Sequence, residues 1–451
     1  MQFELTTEFL DEIRALISEK EEGLLLEKLN ELYAADIAEL LNQLDFEDAE
    51  FIHGLLEEQI AADVLLEVDE ELREKLLANL STKEIAEQLD RMDSDDAADV
   101  INELPENIQD EVLSQIEDIE QASDIADLLS YEEGTAGSLM AKELVSVYGH
   151  NTVNECIEEI RKQAENVDVM YAVYVLDEKD RLTGMLPLKN LFISQPNTRV
   201  QEISQEEIIS VKTSTTTIEV SDIMRKYDLV VLPVIDSLGR LVGRITIDDV
   251  VDVIREEAEK DIQRMSGISD DVDAQDGLWR SSRARIPWLI VGMCGGIIGS
   301  RIISGYESQI QIHPEMAFFI PLIAAMGGNV GVQSSAIIVQ GIANNTLKNE
   351  RLIPKLLKEL GVGLINGLIC SILILAYNLL ISDSFQLAVT VSIALITVIL
   401  FASFLGTFVP LTLNRFKINP ALATGPFVTT LNDILGITIY FLMGRLLYNL
   451  L

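Results

Sequence analysis

Residues 421–450 of this chain read ALATGPFVTTLNDILGITIYFLMGRLLYNL, an apolar run long enough to cross a lipid bilayer that holds one acid, Asp433. On insertion scales an aspartate at the centre of a span costs roughly 2.5–3.5 kcal/mol, so acids at membrane depth usually face a partner, a cavity or an ion path. Hydroxyl, amide and glycine residues surround this one. Taken alone, Asp433 fits a proton relay, a structural pair or an ion site about equally well.

Four further apolar segments precede this run, at about residues 286–309, 314–342, 356–381 and 386–413. Each is near the ~20 residues that cross a bilayer. Lysines and arginines follow the second and fourth segments and precede the first, whereas the loops on the other side hold none. Because basic loops favour the cytoplasm, and no cleavable signal is recognisable at the N-terminus, we expect a multi-pass protein of the cell membrane. Its N-terminal half would be cytoplasmic and its C-terminus outside.

The charge of the chain is confined to the part before these segments. After residue 285 the bases outnumber the acids by only two, so residues 1–285 carry a net charge of −43 against −41 for the whole chain. Such an acidic surface argues against binding nucleic acid, whose phosphates attract basic stripes. It favours cations as partners, although a merely solubilising surface would look the same.

Residues 1–133 predict an acidic α-helical domain. They are rich in Leu, Ala, Glu and Asp, and their apolar residues recur at spacings of three and four. Short units such as Asp36-Ile-Ala-Glu-Leu-Leu recur at uneven intervals, which favours a loose helical superhelix. Within it, Asp93-Ser-Asp-Asp-Ala-Ala-Asp99 crowds four carboxylates into one helix start. Helix capping explains such a pattern in part and leaves room for a further role.

Residues 134–198 and 199–258 form an internal duplication. Two Val-rich strands are each followed by a turn and a second strand, and Asp177 and Gly184 recur as Asp236 and Gly243. The pattern resembles a tandem pair of CBS domains, α/β modules that often bind adenine nucleotides. Thr246 and Asp249 of the second copy match the positions that hold ribose in such modules, which makes ATP a candidate ligand. The first copy departs from that pattern, with Pro187 and Asn190.

A connecting helix is expected over residues 250–280. At helical spacing Asp249, Asp252 and Glu256 form one acidic row, with Glu257 and Asp261 beside it. Like charges at these spacings repel, so the row must be solvated, paired with bases or bridged by cations. Hard oxygen ligands suit Mg²⁺ or Ca²⁺. The spacing leaves a solvated face and a cation site both open.

Polar residues also occur inside two other spans. Asn329 and Gln333 lie four apart in Gly327-Gly-Asn-Val-Gly-Val-Gln333, on one face of the second span. The glycines alone would be explained by close helix packing. With Glu359 and Asn366 of the third span, the two amides make a polar stripe that could line water.

In this order, the acidic helical domain, the CBS pair, the connecting helix and the five spans resemble the MgtE family of magnesium channels over essentially the whole chain. The stretch 327–333 and the stretch Pro420-Ala-Leu-Ala-Thr-Gly-Pro-Phe-Val-Thr-Thr-Leu-Asn-Asp433 match that family's membrane motifs. The expected fold is therefore a multidomain membrane protein whose five-helix transmembrane domain covers residues 286–451.

The resemblance implies a homodimer in the bilayer whose two fifth spans meet at a pore. Each Asp433 would help to hold one hydrated Mg²⁺, an ion that gives up its water reluctantly, and other divalent ions such as Co²⁺ are candidates for passage. The implied lining of the pore is drawn from Asn329, Gln333, Glu359, Asn366, Gly425 and Thr429.

The resemblance also implies a sensor that closes the pore when cytosolic Mg²⁺ is bound between the acidic domains. Two departures bear on it, because Lys260 and Asn419 stand where the family often has acids. By motif match the implied regulatory ligands are Asp93, Asp96, Asp228, Asp249, Asp252, Glu257 and Asp261.

Two other functions stay open from sequence. A proton-coupled divalent-cation carrier could use Asp433 to exchange a proton for the ion, and a membrane-anchored CBS sensor would transport nothing. An enzyme is not expected, because the three histidines are isolated and no nucleophile, phosphate loop or catalytic dyad stands out.

Overall fold

The computed structural model describes residues 4–164, 167, 169–269, 272, 277–343, 347, 352–381 and 384–448. The chain divides into two compact units, Met1–Ile254 and Arg255–Leu451, called here the N-terminal unit and the membrane unit. Each is described by itself.

The N-terminal domain is helical, as expected. Helices two apart along the chain pack on one another, α3 with α5, α5 with α7 and α7 with α9, which makes the stack a superhelix. Ser81 and Glu84 form a capping box at the start of α7. In chain order the ten helices are α1 Thr7–Glu19, α2 Glu22–Leu29, α3 Ala34–Leu41, α4 Phe46–His53, α5 Glu58–Glu67, α6 Glu70–Asn79, α7 Thr82–Leu89, α8 Ser94–Glu103, α9 Glu106–Leu113 and α10 Ile119–Leu128.

The CBS pair forms two three-stranded sheets with the same topology. In each, the first strand pairs in parallel with the second, and the second pairs antiparallel with the third. Val175 pairs with Gly184 and Val234 with Gly243, so the duplicated residues hold the same register. The strands are β1 Val145–Tyr148, β2 Val173–Leu176, β3 Leu182–Leu186, β4 Val211–Lys212, β5 Val231–Ile235 and β6 Leu241–Thr246. The helices are α11 Ala136–Leu139, α12 Val153–Gln163, α13 Leu188–Ile193, α14 Val200–Ile203 and α15 Thr217–Tyr227.

The hydrophobic cores show how these domains are joined. Buried residues of the helical domain and of the second CBS module, from Ile13 to Val250, form one continuous cluster. The first module has a core of its own around Val145, Val173 and Leu186. The second module is therefore structurally continuous with the helical domain.

The connecting helix α16 covers Ile247–Ser266 and does not continue to residue 280 as expected. Gly267 follows it with φ +80, a left-handed conformation that ends helices and that glycine adopts at little cost. The next helix begins at Leu278. The expected helix therefore ends at this glycine, about a dozen residues short of residue 280.

Among the residues that the structure describes, the membrane unit contains five segments long and apolar enough to cross a bilayer, Leu278–Gly305, Pro314–Ala343, Ile353–Ile381, Phe385–Arg415 and Pro426–Tyr448. The last begins after the expected residue 421, because Pro420–Ala423 form a separate 3-10 turn. Its helices are α17 Leu278–Gly305, α18 Glu307–Ile312, α19 Ile320–Ala343, α20 Leu352–Ile381, α21 Phe385–Arg415 and α22 Pro426–Tyr448, with a second 3-10 turn at Pro314–Phe319.

Helix α21 is at the centre of this unit. It packs against α19, α20 and α22, and most of its middle is buried. Helix α20 packs mainly on α21 and leaves large apolar side chains such as Ile365, Ile372 and Leu373 exposed. In a bilayer that exposed surface would contact lipid.

Candidate functional site

A cleft of about 400 Å³ in the membrane unit contains Asp433. Asn329 and Gln333 of α19 and Thr429 and Asp433 of α22 line it, each pair four residues apart and therefore on one face of its helix. Ala324, Ala325, Gly328 and Val332 complete its wall. The structure thus brings four of the sequence-selected side chains together, and all four offer oxygen atoms to a cation or its water shell.

Glycines hold the two helices of this cleft close together. A Cβ atom on Gly331 would lie 1.8 Å from Asn432 Nδ2, and one on Gly328 would lie 3.3 Å from Thr429 Cγ2. A Cβ atom on Gly406 of α21 would lie 2.4 Å from the Gly331 carbonyl oxygen. This seam of small residues lets three backbones meet and fixes α22, and with it Asp433, against α19.

Asn432, the amide that precedes Asp433, is a buried polar residue that was not selected as a site residue from the sequence. It is 2 % exposed, and its Nδ2 and Oδ1 atoms find no hydrogen-bond partner among the described residues. Buried amides are normally satisfied. Its place beside the costly acid in sequence was the available signal.

A second cleft of about 340 Å³ lies on another side of Asp433. The glycine-rich face of α17 forms its wall, with Gly292, Gly295, Gly296 and Gly299. Thr430, Asp433 and Ile434 of α22 line the opposite side. The carboxylate therefore stands between two open volumes, as a group on an ion path would.

The end of the connecting helix contacts the start of α22 within the membrane unit. A Cβ atom on Gly425 would lie 2.2 Å from the Met265 carbonyl oxygen, and one on Gly267 would lie 2.5 Å from Pro426 Cγ. Gly425, selected as a pore-lining candidate, thus lies directly against the backbone of α16.

Asn419, a residue at which the chain departs from the expected motif, also contacts the connecting helix. Asn419 Nδ2 donates a hydrogen bond to Asp261 Oδ1 at 3.2 Å, and Arg264 pairs with the same carboxylate at 3.3 Å. An aspartate at position 419 would instead place two carboxylates together. Here the amide links the connecting helix to the membrane helices by a direct hydrogen bond.

Glu359 and Asn366 do not line the Asp433 cleft. Both lie on α20, where Glu359 is 8 % exposed and Asn366 is exposed. Their spacing showed which face of α20 they share, but only the packing of helices decides which neighbour that face meets. For α20 that neighbour is chiefly α21.

The N-terminal unit has a separate acidic cleft of about 250 Å³. Its carboxylates come from Asp93, Asp95 and Asp96 at the start of α8, from Asp248 and Asp249 at the start of α16, and from Asp63 of α5. Asp93 makes no capping hydrogen bond to α8. Helix capping therefore does not account for that side chain.

Two residues that were not selected from the sequence lie next to these acids. Glu143 accepts hydrogen bonds from the Ser94 N–H at 3.0 Å and Ser94 Oγ at 3.1 Å. Arg244, 6 % exposed, donates to Asp93 Oδ2 at 3.3 Å. Ligand atoms of Asp93, Asp95 and Glu143 lie within 4.8 Å of one another, a grouping that could hold a metal ion.

Burial and mutual repulsion make these acids reluctant to ionise. Burial, with the charge of Asp249 next in importance, raises the pKa of Asp96 to about 7. The same two causes, burial and neighbouring acids, raise the pKa of Asp95 well above its usual range, and burial raises that of Glu143. A divalent cation in the cleft would offset this repulsion and favour the ionised forms.

The other regulatory candidates are not among the residues that line this cleft. Asp228 is exposed and ends α15 with φ 52, and Asp252 is exposed on α16. Glu257 is half-buried. Lys260 pairs with Glu256. Bases therefore neutralise part of the acidic row, as one of the sequence-based alternatives had it.

Thr246 and Asp249, the candidate nucleotide-binding residues, are hydrogen-bonded to each other. Thr246 donates to Asp249 Oδ2 through its N–H at 3.1 Å and its hydroxyl at 2.6 Å. Asp249 thus serves both the start of α16 and the acidic cleft. In the first copy, Asn190 Nδ2 donates to the Ile203 carbonyl at 2.7 Å.

Three family models match this chain. A divalent cation transporter model (MgtE) covers residues 320–443, an MgtE intracellular N domain model covers 32–134, and a CBS domain model covers 136–195 and 200–256.

Similar named proteins and a similar solved structure point to the same family as these models. The magnesium transporter MgtE of Thermus thermophilus is 37% identical over 72% of this chain and 72% of its own length. That of Bacillus subtilis is 30% identical over 70% of each chain. A solved structure of the cytosolic domain of the Mg²⁺ channel MgtE with ATP matches 54% of this chain and 99% of its own, at 34% identity and a TM-score of 0.51. This chain is a membrane protein that belongs to the MgtE family.

Proposed function

We propose that this protein is a Mg²⁺ channel for uptake across the cell membrane, closed by cytosolic Mg²⁺. The observation that carries the proposal is the cleft in which Asp433 meets Asn329, Gln333 and Thr429. One carboxylate among neutral oxygen donors suits a Mg²⁺ ion that keeps much of its water, whereas a dehydrated ion would need more protein ligands. The relatives' names as magnesium transporters support this choice of ion and point to a transporter rather than an enzyme.

The pore would be completed by a second copy of the chain. One Asp433 supplies one negative charge, which only half neutralises a divalent ion. A homodimer with its two fifth helices facing each other would supply two. Without an ion these carboxylates would repel, so the cation would also stabilise the pair.

Gating would act through the connecting helix α16. It carries Asp249 of the acidic cleft near its start, and its Met265 carbonyl lies against Gly425 near its end. In the docked arrangement, the end of α16 lies against Gly425 and the carboxylates of the acidic cleft lie close together, so their repulsion is strongest. Mg²⁺ bound among Asp93, Asp96 and Asp249 would offset this repulsion and would therefore favour the docked arrangement.

ATP is proposed as a further ligand of the CBS pair. Thr246 and Asp249 would hold its ribose, and the cytosolic domain structure solved with ATP supports this assignment. Since Asp249 also lines the acidic cleft, nucleotide and Mg²⁺ binding would be coupled.

Mg²⁺ flux into liposomes tests the pore. Asp433→Asn is expected to abolish flux, whereas Glu307→Gln, at an exposed acid of the same unit, should leave it unchanged. Wild-type flux in Asp433→Asn would favour a sensor that transports nothing. Saturable, proton-driven uptake without single-channel currents would favour the carrier.

The same liposomes test the gate when internal Mg²⁺ is varied. Inhibition of the wild type by internal Mg²⁺ is expected, and Asp96→Asn should weaken it. Flux that does not change with internal Mg²⁺ would contradict the gating model but not the proposed pore.

A further inference from the structure

The acidic cleft of the N-terminal unit contains a buried arginine. Arg244, on β6, is 6 % exposed, and it is the only lysine or arginine among the buried side chains that the structure describes. Its guanidinium stays protonated at any physiological pH. Burying such a charge is costly unless the charge is paired and hydrogen-bonded, so the groups around it indicate what it does in the cleft.

Three contacts hold this guanidinium in place. Its Nε donates a hydrogen bond to the Glu143 carbonyl oxygen, and its Nη2 donates to Asp93 Oδ2 at 3.3 Å. Its Cζ lies 5.5 Å from the centre of the Tyr171 ring. The backbone is fixed as well, because the N–H and the carbonyl oxygen of Arg244 both bond to Ala141. The positive charge is therefore held against one carboxylate of the cleft.

That carboxylate is also a candidate metal ligand. Ligand atoms of Asp93, Asp95 and Glu143 lie within 4.8 Å of one another. A Mg²⁺ ion bound to the Asp93 carboxylate would lie close to the guanidinium that donates to the same group. Two cations that share one carboxylate repel each other, and this repulsion is stronger in a buried site than in water.

The charge of the cleft gives this arginine a direct effect on metal affinity. Oxygen-ligand sites for divalent cations are tuned by the number of their charged ligands. The other arginine of the lining, Arg91, is half exposed and pairs with Glu58, which does not line the cleft. Arg244 is thus the buried positive charge against which a cation must bind. The carboxylates of the lining are those of Asp63, Asp93, Asp95, Asp96, Asp248 and Asp249.

We propose that Arg244 is a built-in competitor of the regulatory Mg²⁺ and sets the Mg²⁺ concentration at which the acidic cleft fills. The inference rests on the function proposed above, in which Mg²⁺ in this cleft closes the pore. In the empty cleft the guanidinium offsets part of the carboxylate repulsion. An entering ion either displaces its contact with Asp93 or binds against its repulsion. In both cases the arginine lowers the affinity without being a metal ligand itself.

The first test measures Mg²⁺ binding to the full chain in detergent by titration calorimetry, without nucleotide. Every variant carries Asp433→Asn, so that the proposed pore site does not contribute. Arg244→Gln should bind Mg²⁺ about 10- to 100-fold more tightly, because the ion no longer competes with a charge-assisted contact. Arg244→Lys keeps the positive charge and should stay close to the affinity of the parent chain.

Two further variants make the titration interpretable. Arg240→Gln is the matched control, because Arg240 precedes β6, pairs with Asp236 at 2.7 Å and does not line the cleft. It should bind Mg²⁺ like the parent chain. Asp96→Asn should bind it more weakly, and unchanged binding there would contradict the proposed sensor itself. Weaker binding by Asp96→Asn with unchanged affinity in Arg244→Gln would overturn only the role of Arg244.

Mg²⁺ flux into liposomes separates this role from a purely structural one. With Asp433 restored, Arg244→Gln should be half-inhibited at a correspondingly lower internal Mg²⁺ concentration. A structural role predicts the opposite, because a loosened cleft would need more Mg²⁺ to close the pore. Half-inhibition at the same or a higher concentration would overturn the proposal. So would weaker ATP binding by Arg244→Gln at unchanged Mg²⁺ affinity, which would assign the guanidinium to the nucleotide phosphates.

Discussion

Gly425→Ala is expected to loosen the gate while leaving the ion site intact. The new Cβ atom would lie 2.2 Å from the Met265 carbonyl oxygen, whereas carbon–oxygen contacts normally begin near 3.3 Å. The end of the connecting helix would have to retreat by about 1 Å. Because this obstacle is backbone, no side-chain rotation relieves it.

Overpacking of this kind costs about 1–3 kcal/mol. The cost falls on the docked arrangement only, since an undocked helix leaves Gly425 free. The ratio of docked to undocked molecules should therefore drop about 5- to 150-fold. More internal Mg²⁺ would then be needed to close the pore.

The assay is Mg²⁺ flux into liposomes over a range of internal Mg²⁺ concentrations. Gly361→Ala is the matched control, because nothing lies within 4 Å of its Cβ position. We expect maximal flux to be retained in both variants and half-inhibition to shift only in Gly425→Ala. An unchanged inhibition curve for Gly425→Ala would refute the idea that this contact transmits the signal.

Three further outcomes follow from the same geometry. Gly331→Ala should lower the free energy of unfolding of the membrane unit by about 1–3 kcal/mol, seen as a lower melting temperature than that of Gly361→Ala; equal melting would contradict the close packing. Arg244→Gln removes the cation that faces Asp93, so melting without Mg²⁺ should fall and added Mg²⁺ should restore more stability than it gives the wild type. The raised pKa of Asp96, about 7, means that the folded state binds its proton more tightly than the unfolded state. Stability without Mg²⁺ should therefore rise as the pH falls from about 8 toward 5, an effect that Asp96→Asn should reduce.

The fold could largely be predicted because its signals are local. Apolar length marked the spans, and the recurrence of Asp177 and Gly184 as Asp236 and Gly243 marked the two modules, which share one register in the structure. Gly267 also carried a signal for the end of the connecting helix. A glycine after the last helical residue commonly adopts the left-handed conformation that ends a helix.

The sites were only partly predictable because they depend on tertiary packing. Asp93 and Asp249 carry visible motifs, but Glu143 and Arg244 meet them only when the helical domain packs on the CBS pair. No spacing in the sequence links those segments. Glu359 is the opposite case. The sequence indicated that it lies on a polar face of its helix, but not which helix that face contacts.

The glycine seam also indicates which positions can be substituted to alter ion selectivity. Gly331 and Gly406 leave no room for larger side chains, so changes there would disrupt the helix packing before they changed the ion. Ala324, Ala325 and Val332 line the Asp433 cleft without belonging to that seam. A library restricted to these three positions could change the width and polarity of the passage while the scaffold that holds the carboxylate is kept.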